Sequence, residues 1–427
     1  MTTLLGGVFL TAFALHLGAT EFEIGLLAAT ASLAHVAQLG GAFAIDRLGH
    51  RKTICMVATW ISRLMWIPIL FATFCEPAYR VRYIVGLLTI SSLFASIGGG
   101  AWLSWIKDLV PNEIRLRFLG RRHVFNTALA FAMSVGGGLF IDASLRRQPD
   151  SLMGFVAVFI TAMSCGIVGL FILQTIPEAV HIQSEPTGFA QLLGRPWQDR
   201  NFRRLIIFYG VWNFSSNLAT PFFAVYMLAV LQVPFAIVTL LLTFSSLLGV
   251  ATARLWTRFG DRFGTRNMVL LGTIADSFCP LLWLFVSPAS LWLLVPIHCC
   301  GIFSAPVALG PNALSLKLSP AGRSLGYLAL FNATTGPLTA GGAIVGGALA
   351  SWFATTSSAP SAWGLQLIFA MSALMRLGSA LLLLQVAEEH AHPAARVFKI
   401  LTRAGRRWSR DRRFPARGVS PRDRTAA

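Results

Sequence analysis

The chain has 427 residues, of which 55% are apolar and 12% charged, and its mean hydropathy is +0.66. That balance excludes a water-soluble enzyme of this size, a disordered chain and a secreted disulfide scaffold, and it places the protein in lipid. A net charge of +18 would suit a nucleic-acid binder, but the basic residues stand where a membrane protein keeps them.

Apolar runs long enough to cross about 30 Å of hydrocarbon recur at about 1 to 17, 24 to 45, 53 to 74, 83 to 106, 122 to 143, 152 to 176, 204 to 230, 234 to 256, 267 to 287, 290 to 315, 324 to 353 and 363 to 386. The first is at the lower length limit and meets no charge before Glu21, as a short tilted helix or a late start codon would give; it lacks the basic n-region of a signal peptide. With a cytoplasmic N-terminus, the cytoplasmic loops, their helix ends and the tail hold 29 of the 35 Lys and Arg. The opposite face holds Arg80, Arg82, Arg146 and Arg147. This positive-inside bias puts both termini in the cytoplasm. The six cysteines lie in or at the ends of apolar runs without zinc-type spacing, so they are expected to be small core residues.

A repeat organises the spans. Ala42-Phe-Ala-Ile-Asp46-Arg47-Leu-Gly49-His-Arg51-Lys52 follows span 2, and Thr257-Arg-Phe-Gly-Asp261-Arg262-Phe-Gly264-Thr-Arg266 follows span 8, with the aspartates 215 residues apart. Lys107 to Pro111 after span 4 is echoed by Lys317 to Pro320 after span 10. The halves are therefore parallel copies of six helices each. The expected domains are a bundle at 1–178, a linker at 179–203, a second bundle at 204–386 and a basic tail at 387–427. In the tail, Val397, Phe398, Ile400, Leu401 and Trp408 interleave with basic residues, a pattern open to either a helix lying on an anionic leaflet or a solvated coil.

The Asp-Arg-x-Gly-x-Arg loop, present in both halves, resembles the signature of the major facilitator superfamily. The resemblance covers spans 1 to 12 and departs from the usual pattern at Ala42 and Thr257, where the family has glycine. It implies an all-α polytopic membrane protein with twelve transmembrane helices, arranged as two pseudo-symmetric bundles that rock about a central site. It also implies that Asp46, Arg47, Gly49 and Arg51, with Asp261, Arg262, Gly264 and Arg266, form a cytoplasmic latch. A charge-assisted contact present in one access state and broken in the other biases the equilibrium between them.

Ionisable groups at membrane depth are candidates for function. Arg63 in span 3 has no acidic partner at equal depth, whereas Asp276 in span 9 and Arg376 in span 12 share one depth; the resemblance makes helices 9 and 12 neighbours and so implies that the two pair inside the second bundle. Asp142, near the outer end of span 5, is expected to meet water. By the resemblance, helices 1, 4, 7 and 10 line the cavity; His16, Trp105, Tyr209, Asn213, Asn217 and His298 are its candidates. Asn213 and Asn217, four apart on one face of span 7, stand near the midplane.

Amides and aromatics without a carboxylate favour a neutral or amphipathic organic solute. Three histidines, His16, His35 and His298, leave a coupling proton open. The alternative cargo is a transition-metal ion such as iron, offered His298-Cys299-Cys300, although consecutive helical residues point about 100° apart and cannot all face one ion. A receptor or assembly factor without flux is the further alternative. No enzyme motif and no cofactor or resident metal site is present in the pattern. Partners are a small-molecule or ion substrate and the lipid bilayer of a bacterial cytoplasmic membrane or one derived from it. Glycines recur as Gly136-Gly137-Gly138 in span 5 and as Gly336-Pro337 with Gly341-Gly342 in span 11, where they permit kinking and close helix approach.

Overall fold

In lipid no water satisfies backbone N–H and C=O groups, so the spans must be helical. The computed structural model describes residues 1–38, 40–41, 50–77, 79–110, 112–148, 151–178, 196–320, 324–356, 361–388 and 393, and it holds helices and no strand among them.

The first half contributes α1 (Gly7–His16), α2 (Glu21–Leu33), α3 (Arg51–Phe74), α4 (Arg80–Leu109), α5 (Asn112–Arg147) and α6 (Met153–Gln174). The second contributes α7 (Arg200–Val225), α8 (Phe235–Phe263), α9 (Thr265–Leu282), α10 (Pro288–Leu318), α11 (Ser324–Thr356) and α12 (Ser361–Leu383). Every predicted span overlaps one of these helices, and residues 42–45 of the second span lie outside the described residues. Nine of the described helices are long and apolar enough to cross a membrane by themselves. Helix α5 begins ten residues before its predicted span, as an extension carrying several arginines.

Local chemistry sets the ends. Thr20 and Glu23 form a reciprocal capping box at the start of α2. Asp199 accepts from the N–H groups of Asn201 and Phe202 to start α7. Gly264, at φ +100°, makes the tight turn between α8 and α9 that only glycine adopts freely. Helix α10 is broken by 3₁₀ turns at Pro288–Leu293 and Cys300–Phe303.

Helices α1 to α6 pack on one another, as do α7 to α12, and the two groups meet mainly along α2 with α11 and α5 with α8. Phe9, Phe13, Phe155 and Phe159 centre one core in the first group. The second group has two: Phe222, Tyr226, Trp283 and Phe369 in one, Phe202, Phe208, Tyr209 and Phe331 in the other.

Candidate functional site

The surface where the two groups of helices meet is built from small residues. A Cβ at Gly25 of α2 would stand 2.5 Å from the Ala343 carbonyl oxygen of α11 and 3.0 Å from the Gly347 Cα. Beside them Ala29 packs with Ala340 and Ala343. The Phe22 N–H donates to Ser351 Oγ at 2.9 Å, across the same seam. The glycine pattern of span 11 serves two neighbours. Gly336 lies against Ser32 of α2 and His35 just past it, and Gly342 against the Phe214 backbone of α7.

The second seam repeats the design on α5 and α8. Gly138 sits against Ala236 and Thr239 of α8, while Gly137 receives Leu4 and Phe9 of the first group. Asp142 corrects an expectation. Its carboxylate is not left to water but accepts the N–H groups of Phe235 at 3.0 Å and Ala236 at 2.9 Å, the first residues of α8.

Asn213 and Asn217 remain half-exposed on α7, which also touches α1 and α2 of the other group. The Asn217 amide donates to the Asn213 carbonyl at 3.0 Å. Tyr209 is 1% exposed, its ring against Phe208 and Phe331 and its hydroxyl facing Gly310. His298 is 4% exposed, with Nδ1 at 2.7 Å from the Leu294 carbonyl and its ring against Trp283. Trp105 is buried and donates from Nε1 to the Pro177 carbonyl at 3.2 Å. His16 is exposed at the end of α1, beside Phe155.

The intramembrane charges are all engaged. The Arg376 guanidinium donates to Asp276 at 2.8 Å, to Ser372 Oγ at 3.1 Å and to the Ser216 carbonyl at 3.2 Å, and it lies over the Trp212 ring. Arg63 donates to the Gly166 carbonyl of α6, a backbone partner rather than an acid.

Of the latch residues, Asp46, Arg47 and Gly49 lie outside the described residues. Asp261 and Arg262 are exposed. Arg266 turns to its own group and donates to the Val386 carbonyl at 3.0 Å. The sequence reading missed the acid that organises this end. Glu388, just past α12, accepts the N–H groups of Thr265 at 3.0 Å and Arg266 at 2.6 Å at the start of α9, and pairs with Lys317 at 2.9 Å. Burial pushes its carboxyl up, but the N–H of Arg266, the Lys317 ammonium and the N–H of Thr265 together outweigh it and hold the pKa below the ordinary glutamate value. The first half repeats the arrangement: Glu178, just past α6, accepts the Lys52 N–H at 3.2 Å at the start of α3. An acid directly after the last apolar run of each half, 210 residues apart, is the signal that would have found both.

A metal cargo finds little to bind. The thiol of Cys300 turns to the Pro296 carbonyl, and among the described residues no three His, Cys, Asp or Glu side chains gather. An apolar groove of about 530 Å³ lies between α9 and α12, lined by Leu270, Ile274, Leu377 and Leu381, away from both seams.

The sequence profile of the Major Facilitator Superfamily matches residues 1–336 and, in a second alignment, 205–416. Among solved structures, the chain is similar to a variant of the nucleoside transporter NupG, at 14% identity and TM-score 0.73 over 90% of this chain and 96% of that one. It is also similar to the xylose transporter XylE from E. coli in an inward-open conformation, at 15% identity and TM-score 0.61 over 93% and 98%. A bacterial homologue of the iron transporter ferroportin matches at 14% and TM-score 0.57 over 88% and 97%. These likenesses show a shared fold. No curated protein sequence matches.

Proposed function

Since the chain belongs to the major facilitator superfamily, and is thus an integral membrane transporter and not an enzyme, we propose that it carries a small neutral solute by alternating access between bundles at 1–178 and 204–386. On this reading residues 179–203 are the linker, 387–427 a cytoplasmic tail, and both termini face the cytoplasm of a bacterial cell. The observation that carries it is the pair of seams. Two helix groups touching through glycines, alanines and a few cross-group hydrogen bonds can part and re-form with little change inside either group, as rigid-body alternation requires.

The half-exposed amides of Asn213 and Asn217 are the proposed substrate contacts. Neutral, hydrogen-bonding groups suit a neutral, hydrogen-bonding solute, the chemistry of the nucleosides and xylose named for the structural neighbours. The iron alternative is disfavoured by the scattered donors. Asp46 with its basic neighbours remains the proposed cytoplasmic latch.

Proteoliposome uptake of labelled uridine and xylose, beside a thermal-shift screen of nucleosides, sugars, amino acids and divalent metals, tests the reading. Saturable uptake and a raised melting temperature with the same solute are expected, since a ligand that binds only the folded state stabilises it. Stabilisation by a metal alone, or no flux with any stabilising ligand, would overturn it.

A further inference from the structure

The first backbone N–H groups of a helix lack intrahelical partners and carry partial positive charge. Helix α8 has no side-chain cap of its own, since Pro234 stands in the N-cap position. Asp142 fills that role from the other half of the molecule, one carboxylate oxygen to Phe235 and the other to Ala236.

The opposite seam holds the counterpart. Ser351 of α11 accepts the N–H of Phe22, the second residue of α2. Asp142 and Ser351 are 209 residues apart, the same offset as Pro111 and Pro320, so the repeat places them at equivalent positions on α5 and α11. Helices α2 and α8, whose starts they cap, are likewise equivalent. Each half therefore reaches across to cap a helix of the other, at the same end of the molecule. Both caps lie beside the glycine approaches at Gly25 with Gly347 and at Gly138 with Thr239.

We infer that Asp142 and Ser351 form a two-point gate on the face opposite the Asp261 end of α8, closed in this structure, with Asp142 its stronger arm. The inference rests on the alternating-access reading, because opening this face means withdrawing both caps. A carboxylate holding two N–H groups makes charge-assisted bonds, roughly twice as strong as the neutral bond of a serine hydroxyl. The two arms are therefore unequal, and removing Asp142 shifts the balance toward the open face more than removing Ser351 does.

The test uses the full chain in lipid nanodiscs, with hydrogen exchange at the α2 and α8 starts. Asp142→Ala is expected to speed exchange at Phe235 and Ala236 by about tenfold. Ser351→Ala is expected to speed exchange at Phe22, by less. Asp142→Asn, which keeps the side chain's size and one acceptor, gives the same change in smaller measure and stands in if the alanine variant misfolds. A second readout follows Thr239→Cys, a fully buried seam position, in a background without the native cysteines. Membrane-impermeant maleimide should label it faster once Asp142 is replaced. Unchanged exchange at Phe235 and Ala236 would overturn the cap, and faster exchange with unchanged labelling would overturn the gate. Neither readout needs a substrate, so a failure of the transport reading would be seen separately, in the uptake assay.

Discussion

Arg376 of α12 meets Asp276 of α9 at 2.8 Å, with 6% and 18% of their side-chain surface exposed. The pair joins two helices of one group, and Ser372 and the Ser216 carbonyl take further guanidinium donors. Such an arrangement holds a bundle together more than it moves a substrate. Asp276→Leu or Arg376→Leu alone should destabilise the protein by about 3–5 kcal/mol, because each leaves an unpaired buried charge. The double replacement should be less destabilised than either single one. Denaturation of the purified protein, followed by tryptophan fluorescence, measures all three; additive losses would show that the two charges are not coupled.

Glu388 supplies a pH dependence with a definite sign. Its folded pKa lies below the ordinary glutamate value, so its stabilisation is fully present above that value and is lost as the pH falls through the lowered one. The melting temperature of the native protein should therefore fall more steeply on acidification below the ordinary glutamate range than that of Glu388→Gln. Above that range the variant should be the less stable of the two. Parallel melting profiles for both proteins would remove Glu388 from the network it forms with Thr265, Arg266 and Lys317.

The α2 and α11 seam tolerates no side chain at Gly25, where a Cβ would press on the Ala343 carbonyl. Gly25→Val should force the helices apart at a penalty of about 1–3 kcal/mol, lowering flux at unchanged membrane insertion. Gly86 of α4, where a Cβ meets nothing within 4 Å, is the control: Gly86→Ala should transport normally. Equal flux in Gly25→Val and Gly86→Ala would show that the close seam is not needed for the cycle.

Asn217→Leu and Asn213→Leu remove the proposed substrate amides while keeping helix-compatible side chains. Each lost hydrogen bond of about 0.5–1.5 kcal/mol corresponds to a rise in KM of up to about tenfold. Uptake kinetics at constant expression read this directly; an unchanged KM in both would move the substrate site elsewhere.

Asp46→Asn should lower flux without lowering insertion, as a latch between access states requires. Asp261→Asn, in the second copy, should have the smaller effect because Arg266 beside it is committed to the Val386 carbonyl of its own group. Normal flux in Asp46→Asn would remove the latch.

The chain's own pattern determined that it spans a membrane and that its second half repeats its first, and equal depth, read with the family's helix arrangement, pointed to the pairing of Asp276 with Arg376. Run length, loop charge, depth and repeat spacing are one-dimensional quantities. Only the tertiary structure decided which side of each helix meets a neighbour. In a water-soluble helix the polar face marks the outside, but here lipid and protein interior are equally apolar, so the helical period does not separate them. For that reason the pattern did not show that Tyr209 and His298, named as cavity candidates, are buried in this structure. Asp142, equally, looked solvated and instead caps α8 across the seam. Glu178 and Glu388 were overlooked on the same ground: a carboxylate at a helix end shows its charge in the sequence, but the N–H groups it receives belong to helices that only folding brings beside it.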